Sequence, residues 1–327
     1  FPKLAGNVRG TGTDFRWVGE LQAVAAKTDA MTIGGLFLSD AVAEYKDRQF
    51  TASAGSGRAQ KFSIADDEFV ALTARNLRFS MPNGNVNLDA DSASAASMTN
   101  ENFKLNELRG RNVRIRNVDK RTNVDISSLQ ARSAELKGRR LDDVTADKFS
   151  LTDLPNSTEL SASNLRAARL NADGTVIEGL SSPEVSLTDT PAETRIYADT
   201  LRVAKIDAGS AVLGSLNIAG VRLTIREGRI EGTSKDIDAG NVTLAKTDSL
   251  PSGGELRDVK TSKPVFILEP AGRYRASADM SLGGGIIGSV PLGAATAQVV
   301  VNNNGAELSD LNAQVMDGSV TGNATIA

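Results

Sequence analysis

The side chains that most often carry chemistry are scarce in this chain. Histidine and cysteine are both absent from its 327 residues. Ser-His-Asp and Cys-His catalysis, Cys/His zinc sites, iron–sulfur clusters and histidine-ligated haem are therefore excluded. Acids remain: Asp66-Asp67-Glu68 and Asp142-Asp143 place carboxylates side by side, the residue type that a glycosidase or hard-metal site needs. Solvated turn positions account for both runs more simply. A Ser-x-x-Lys dyad does not occur, and Thr145-x-x-Lys148 and Thr243-x-x-Lys246 come nearest with an unusual nucleophile. Gly10-Thr-Gly12 has no Rossmann setting, and Gly283-Gly284-Gly285 with Gly288 lacks the lysine and helix of a phosphate loop, so it reads as a hairpin tip. The residues predict no enzyme, no metal and no cofactor.

The strongest local charge asymmetry is Arg109, Arg111, Arg114, Arg116, Lys120 and Arg121. Arg114 and Arg116 alternate with Val113 and Ile115, a phase that puts the arginines on the wet face of a strand and the aliphatics on its dry face. Over the whole chain 37 Lys and Arg stand against 40 Asp and Glu, a formal charge of −3. That balance offers no general attraction for nucleic acid or for anionic lipid headgroups. With aromatics at only 4%, stacking platforms for single strands are also scarce. No nucleic-acid partner is expected.

The elements that position these residues read as strands. Period-two alternation recurs at Phe62/Ile64, Leu77/Phe79/Met81, Val86/Leu88/Ala90, Val113/Ile115, Val221/Leu223/Ile225, Ala276/Ala278/Met280/Leu282, Ala297/Val299/Val301 and Val320/Gly322/Ala324/Ile326. Reversals are signalled at Pro82-Asn83-Gly84, Asp173-Gly174, Glu227-Gly228, Pro251-Ser-Gly-Gly254, Asn304-Gly305 and Asp317-Gly318. The rhythm predicts a strand about every 8 to 15 residues. It also predicts an all-β chain, an elongated β-groove or a solenoid-like stack of mostly antiparallel strands with few helices. Helices are expected only within Glu20–Ala30 or Ser39–Asp47 and over the Ala/Ser segment Asp89–Met98.

A loose echo links Leu108–Ile115 with Leu216–Leu223, and Leu129–Leu136 with Leu165–Leu170 and Leu201–Ile206. Its period reads as irregular, which matches no named solenoid but suggests one strand unit stacked on the next. Three parts are expected: a β-rich stretch over 1–100, a repetitive strand stack over 101–250, and a Gly-rich unit over 251–327. Apolar runs such as Val265–Leu268 are far below the roughly 18 residues of a spanning helix. From the Phe1-Pro2-Lys3 start a processed or excised piece of something longer is expected.

Strands with one dry face need a cover for it, because apolar area is worth about 25 cal/mol per Å² when removed from water. A second sheet, a helix layer or a bound guest would each serve. The C-terminal segment 306–326 resembles the recurrent unit of the AsmA-like superfamily through Leu308, Leu311, Ala313, Val315, Gly318, Val320, Gly322, Ala324 and Ile326. The resemblance implies a periplasmic β-groove protein of a Gram-negative envelope, tethered to the inner membrane by a segment outside this chain. It further implies an outer-membrane partner, carriage of phospholipid or another acyl-chain lipid between the membranes, and no catalytic residues. The groove lining would then be Val113, Ile115, Leu216, Ile218, Val221, Leu223, Ile225, Val299, Val301, Val320 and Ile326. Two other readings stay open: a structural or adhesive β-solenoid with a closed core, and a polysaccharide-active β-helix using Asp142 or Asp143 with Arg114.

Overall fold

The computed structural model describes residues 3–11, 14–27, 31–64, 67–100, 103–119, 121–136, 139–172, 174–248 and 250–326. Among these the chain is all-β: the 3-10 turn at Pro82–Gly84 is the only helical element. The chain divides into two compact units, 1–163 and 164–327.

The first unit begins with β1 (Lys3–Thr11), β2 (Asp14–Lys27), β3 (Met31–Lys46) and β4 (Gln49–Ile64). It continues with β5 (Asp67–Met81), β6 (Val86–Thr99), β7 (Phe103–Val118), β8 (Arg121–Leu136) and β9 (Arg139–Leu154). Each of these strands pairs antiparallel with the next. Strand β10 (Ser157–Ala172) straddles the division between the units.

From β3 to β9 the strands are long and break their alternation at internal corners, with two left-handed residues on each of β3, β5, β7 and β9. In β7, Leu108, Gly110, Val113 and Ile115 are buried on one face, while Arg109, Arg111 and Arg114 are exposed on the other. Strict alternation would turn Asn112 inward, yet Arg111 and Asn112 are exposed in succession. Asn112 takes a left-handed φ of 49° and Glu107, at the earlier corner, one of 50°. Two outward residues in a row lengthen the wet side, and the strand bends toward its apolar side, as at a β-bulge. The partner strand bends at the same rows, so pairing from Val86 with Asn117 to Thr99 with Lys104 keeps one register.

The corners recur with a fixed period. Left-handed residues stand at Gly35, Ala71, Glu107 and Asp143, and again at Asp40, Asn76, Asn112 and Lys148, each 36 residues after the one before. Within β7 and β8 the arithmetic is plain: both strands have 16 residues, and β7, β8 and β9 start at Phe103, Arg121 and Arg139, at equal intervals.

The second unit holds β11 (Thr175–Asp189), β12 (Thr194–Asp207) and β13 (Ala211–Arg226). Gly179 and Ser215 continue the first row of corners. The next strand is broken into β14 (Arg229–Thr233) and β15 (Asp236–Leu244), which both pair with β13 on one side and with β16 (Gly254–Leu268) on the other. Beyond β16 come β17 (Tyr274–Leu282), β18 (Gly284–Ile287), β19 (Val290–Asn302), β20 (Gly305–Val315) and β21 (Gly318–Ile326). All of these pairings are antiparallel.

The all-β, antiparallel reading of the sequence holds, and the expected reversals at Pro82–Gly84, Glu227-Gly228, Pro251–Gly254, Asn304-Gly305 and Asp317-Gly318 fall at junctions between strands. Asp173, of the Asp173-Gly174 pair, lies outside the described residues. The expected helices are strands instead. Glu20–Ala30 belongs to β2 as far as Lys27, with 28–30 outside the described residues; Ser39–Asp47 belongs to β3 and its turn. Asp89–Met98 lies in β6, where Ala90, Ala93 and Ala95 belong to the inner rows. Strands of the repetitive part are also longer and more widely spaced than the sequence rhythm suggested, because each corner breaks the alternation and imitates a strand end. The echo is regular as well: Leu129, Leu165 and Leu201 share the spacing of the corners, and Leu108 and Leu216 stand three such intervals apart.

The core is thin. The chain exposes 19462 Å², against roughly 13,000 Å² for a compact chain of this mass. Among the described residues no large side chain is completely buried. Trp17, Ala41 and Ala54 form one cluster with Leu21, Leu38, Ala43 and Leu77, all from neighbouring strands. Val203, Leu216 and Ala239 form another in the second unit.

Two expectations test this arrangement. A Cβ on Gly57 would come within 2.4 Å of Leu77 and 2.9 Å of Leu38. Gly57→Ala is therefore expected to destabilise by about 1–3 kcal/mol through overpacking, whereas Gly240→Ala, whose Cβ would meet Ser215 at an ordinary 3.5 Å, is expected to be neutral by denaturant midpoint. In the second unit the Glu193 carboxylate accepts a hydrogen bond from Arg226 at 2.6 Å and pairs with Arg195. The Arg226 bond, reinforced by the Arg195 charge, holds its pKa below the usual carboxylate value. A depressed carboxylate stabilises the fold above its unfolded pKa and loses that contribution as pH falls through the folded one. Thermal unfolding between about pH 6 and 2 should thus be less pH-dependent in Glu193→Gln than in the parent chain.

Candidate functional site

The feature that could act on another molecule is the inner face toward which the corners bend. From β3 to β9 its central rows are built from Ile33, Leu36, Leu38, Ala41 and Ala43 on β3 and their cross-strand successors. On β7 those successors are Leu105, Leu108, Gly110, Val113 and Ile115, and on β9 Leu141, Val144, Ala146, Phe149 and Leu151. No charged residue interrupts these rows. Polar groups enter at the hairpin tips, where Asn117 donates to Thr122 at 2.9 Å and Thr158 to Asp153 at 2.9 Å.

The lining residues expected from the sequence fall on the rows of this face. In the first unit Val113 pairs with Ala90, and Ile115 with Leu88 and Val124, the two being 7% and 9% exposed. In the second unit, Leu216, Ile218, Val221, Leu223 and Ile225 follow the inner rows of β13. Leu216 lies between Val203 and Ala239, Ile218 between Leu201 and Ile237, and Val221 opposite Ala198. Leu223 lies between Ile196 and Gly232, and Ile225 between Thr194 and Ile230. On β19, Val299 lies between Ala278 and Leu308, and Val301 between Ala276 and Ala306. Val320 on β21 faces Ala313 and is 49% exposed; Ile326 is in register with Ala306.

Sequence reading missed most of the lining. Leu129, Ala131, Val144, Ala146 and Leu151 are buried on the same rows, and the even spacing of Leu129, Leu165 and Leu201 was the signal that could have found them. The face is also graded: Phe62 packs against Phe69 with ring centroids 5.8 Å apart, and Phe50 against Phe79 at 6.0 Å, while β7 and β8 present mostly aliphatics.

The residues considered for chemistry lie on the outer face and do not converge. Asp142 is paired with Arg140 at 2.7 Å, and Asp143 is a corner residue with φ 51°. Arg114 lies in register with Asp89 and Asp125 on the last segment of β7, away from the first segment of β9 that holds Asp142. Arg116 pairs with Asp89 at 2.7 Å, and Glu68 with Lys61 at 2.6 Å. Asp66, Lys120 and Gly12 lie outside the described residues. Among the described residues no group of three or more acids could hold a metal ion, and no helix is long and apolar enough to cross a membrane.

The chain matches no family model, no curated protein and no solved structure.

Proposed function

We propose that the inner apolar strip holds lipid acyl chains and that the chain is a lipid-binding and lipid-transfer protein of the Gram-negative periplasm. In this reading it carries phospholipid between inner and outer membranes, tethered to the inner membrane by a segment outside this chain and met by a partner at the outer membrane. The observation that carries the reading is the uninterrupted apolar strip, five residues deep on each strand from β3 to β9, with further apolar residues exposed outside it. Phe15 and Met81 in the first unit are 40% and 36% exposed, and Phe266 and Tyr274 in the second are each 38% exposed. Aliphatic and small side chains without polar interruption suit hydrocarbon, which presents no group to be recognised. Headgroups would stay at the wet hairpin tips. Carriage of this kind uses no nucleophile, metal or cofactor. The AsmA-like resemblance adds support, since its positions Leu308, Leu311, Ala313 and Val315 pair with Ala324, Gly322, Val320 and Gly318 across the β20–β21 hairpin.

One observation favours a second reading. The central rows are already covered, with Leu216 at 4% exposure and Val113 and Ile115 almost as enclosed. Side chains from successive segments of the bent strands would then fill the space themselves, and the chain would be a structural stack.

Native mass spectrometry with lipid extraction on the purified chain separates the two. Co-purified phospholipid at whole-number stoichiometry, absent from a matched β-protein control, is the outcome expected of a carrier; a lipid-free, monodisperse chain would select the structural stack. Leu223→Asp sharpens the test. In a carrier the variant stays folded and loses lipid, while in a self-filled core it costs several kcal/mol by burying an unpaired charge. A folded variant with undiminished lipid would refute the assigned face.

A further inference from the structure

We infer that the outer face of the middle segment of β4 to β8, between the two rows of corners, docks on an anionic lipid bilayer. This face is opposite to the apolar strip and does not depend on what that strip holds.

Four arginines stand on it: Arg58 on β4, Arg75 on β5, and Arg109 and Arg111 on β7. Their neighbours in the pairing register are short and uncharged. Ser92 lies between Arg75 and Arg111, Ser94 between Thr73 and Arg109, and Ser128 and Gln130 follow on β8. The hydroxyls satisfy one another, Ser39 with Ser56 at 2.8 Å and Thr73 with Ser94 at 2.7 Å. None of the four arginines is in an ion pair among the described residues. The acids nearest by position on these strands are occupied at the corners, Asp91 by Asn76 and Arg78, and Glu107 by Arg132 at 2.7 Å. Asp40 on β3 and Asp147 on β9 bound the patch on either side. A chain with more acids than bases thus concentrates unpaired positive charge on one wall.

An exposed apolar side chain adjoins this charge. Val24, on the outer face of β2, is 77% exposed; Val18 belongs to the segment beyond the second corner, in register with Val42. Val24 lines a shallow depression of about 650 Å³ with Phe37, Arg58 and Gln60, and the Arg58 guanidinium lies 4.7 Å over the Phe37 ring. Cations beside a protruding aliphatic suit a bilayer interface, where the charges meet anionic headgroups and the apolar side chain enters the boundary beneath them. A single-stranded nucleic acid would instead need open aromatic faces for stacking, and Phe37, the one aromatic ring in this depression, is already covered by Arg58.

Co-sedimentation with large unilamellar vesicles tests the inference. The full chain is expected to partition at least tenfold more strongly onto vesicles of one part phosphatidylglycerol to two parts phosphatidylcholine than onto phosphatidylcholine alone, and to be released as salt rises. Each basic residue near such a surface is worth roughly fivefold, so Arg109→Ser with Arg111→Ser should weaken partitioning about twenty-five-fold. Lys46→Ser with Lys104→Ser removes the same charge from other segments and should change it less than about threefold. All four positions are exposed, so unchanged denaturant midpoints confirm that the variants fold. Equal binding to neutral vesicles, undiminished binding by the arginine variant, or binding to polyglutamate or an oligonucleotide without vesicle binding would each overturn the inference. Arg109→Ser with Arg111→Ser should leave co-purified lipid unchanged, so failure of the carrier reading and failure of this one are distinguishable.

Discussion

Each long strand depends on a local break of a simple rule. A strand alternates its side chains between two faces, and a long strand that obeyed this throughout would be straight, with both faces equally long. Here two outward residues follow one another twice per strand, at Glu107 and Asn112 in β7 for example. The outer side gains length, the inner side does not, and the apolar face becomes concave. Because partner strands break the rule at the same rows, the hydrogen-bond register survives the bend. Where β3 turns at Asp40 without a matching break in β2, the register shifts by one residue between Gly19 and Leu21, and the inner rows resume with Leu21 opposite Leu38.

This constraint settles how the side chains can be distributed. Inner rows tolerate only apolar or small residues, since they approach one another across the bend; Gly57 beneath Leu38 and Leu77 is a tight case. Outer rows are free to carry charge, and do so unevenly, with ion pairs on the first and last segments and unpaired arginines on the middle one. The hairpin tips take the remaining polar groups, as with Asn117 and Thr122. Hydrocarbon on one face and headgroup charge on the other are therefore separate chemical capacities of the same bent strand.

The sequence disclosed the class of fold and the phase of individual segments, because Val113, Arg114, Ile115 and Arg116 alternate over a stretch that contains no corner. It concealed the strand lengths. Ala71, Glu107 and Lys148 adopt left-handed conformations that none of these residue types favours, so no glycine or asparagine marks those corners. The alternating runs accordingly looked like short separate strands. Alanine and serine in β6 looked helical for a related reason: at narrow inner rows alanine fits where a larger side chain would not, and composition then outweighs alternation. The inner-face positions of Leu216, Val221 and Leu223 were legible from spacing alone. The inner rows of β8, β9 and β10 were not, since their signal is a recurrence over two whole strands rather than any local pattern.

That recurrence makes the length of the apolar strip a counted quantity. Duplicating or deleting one two-strand block restores strand direction, corner position and face together, and changes the strip by two strand widths, about 10 Å. A change of half a block would reverse strand polarity, and any other length would put corners opposite straight segments. Variation in such a chain is expected to come in whole blocks, so that evolution can set the reach of the strip as a copy number.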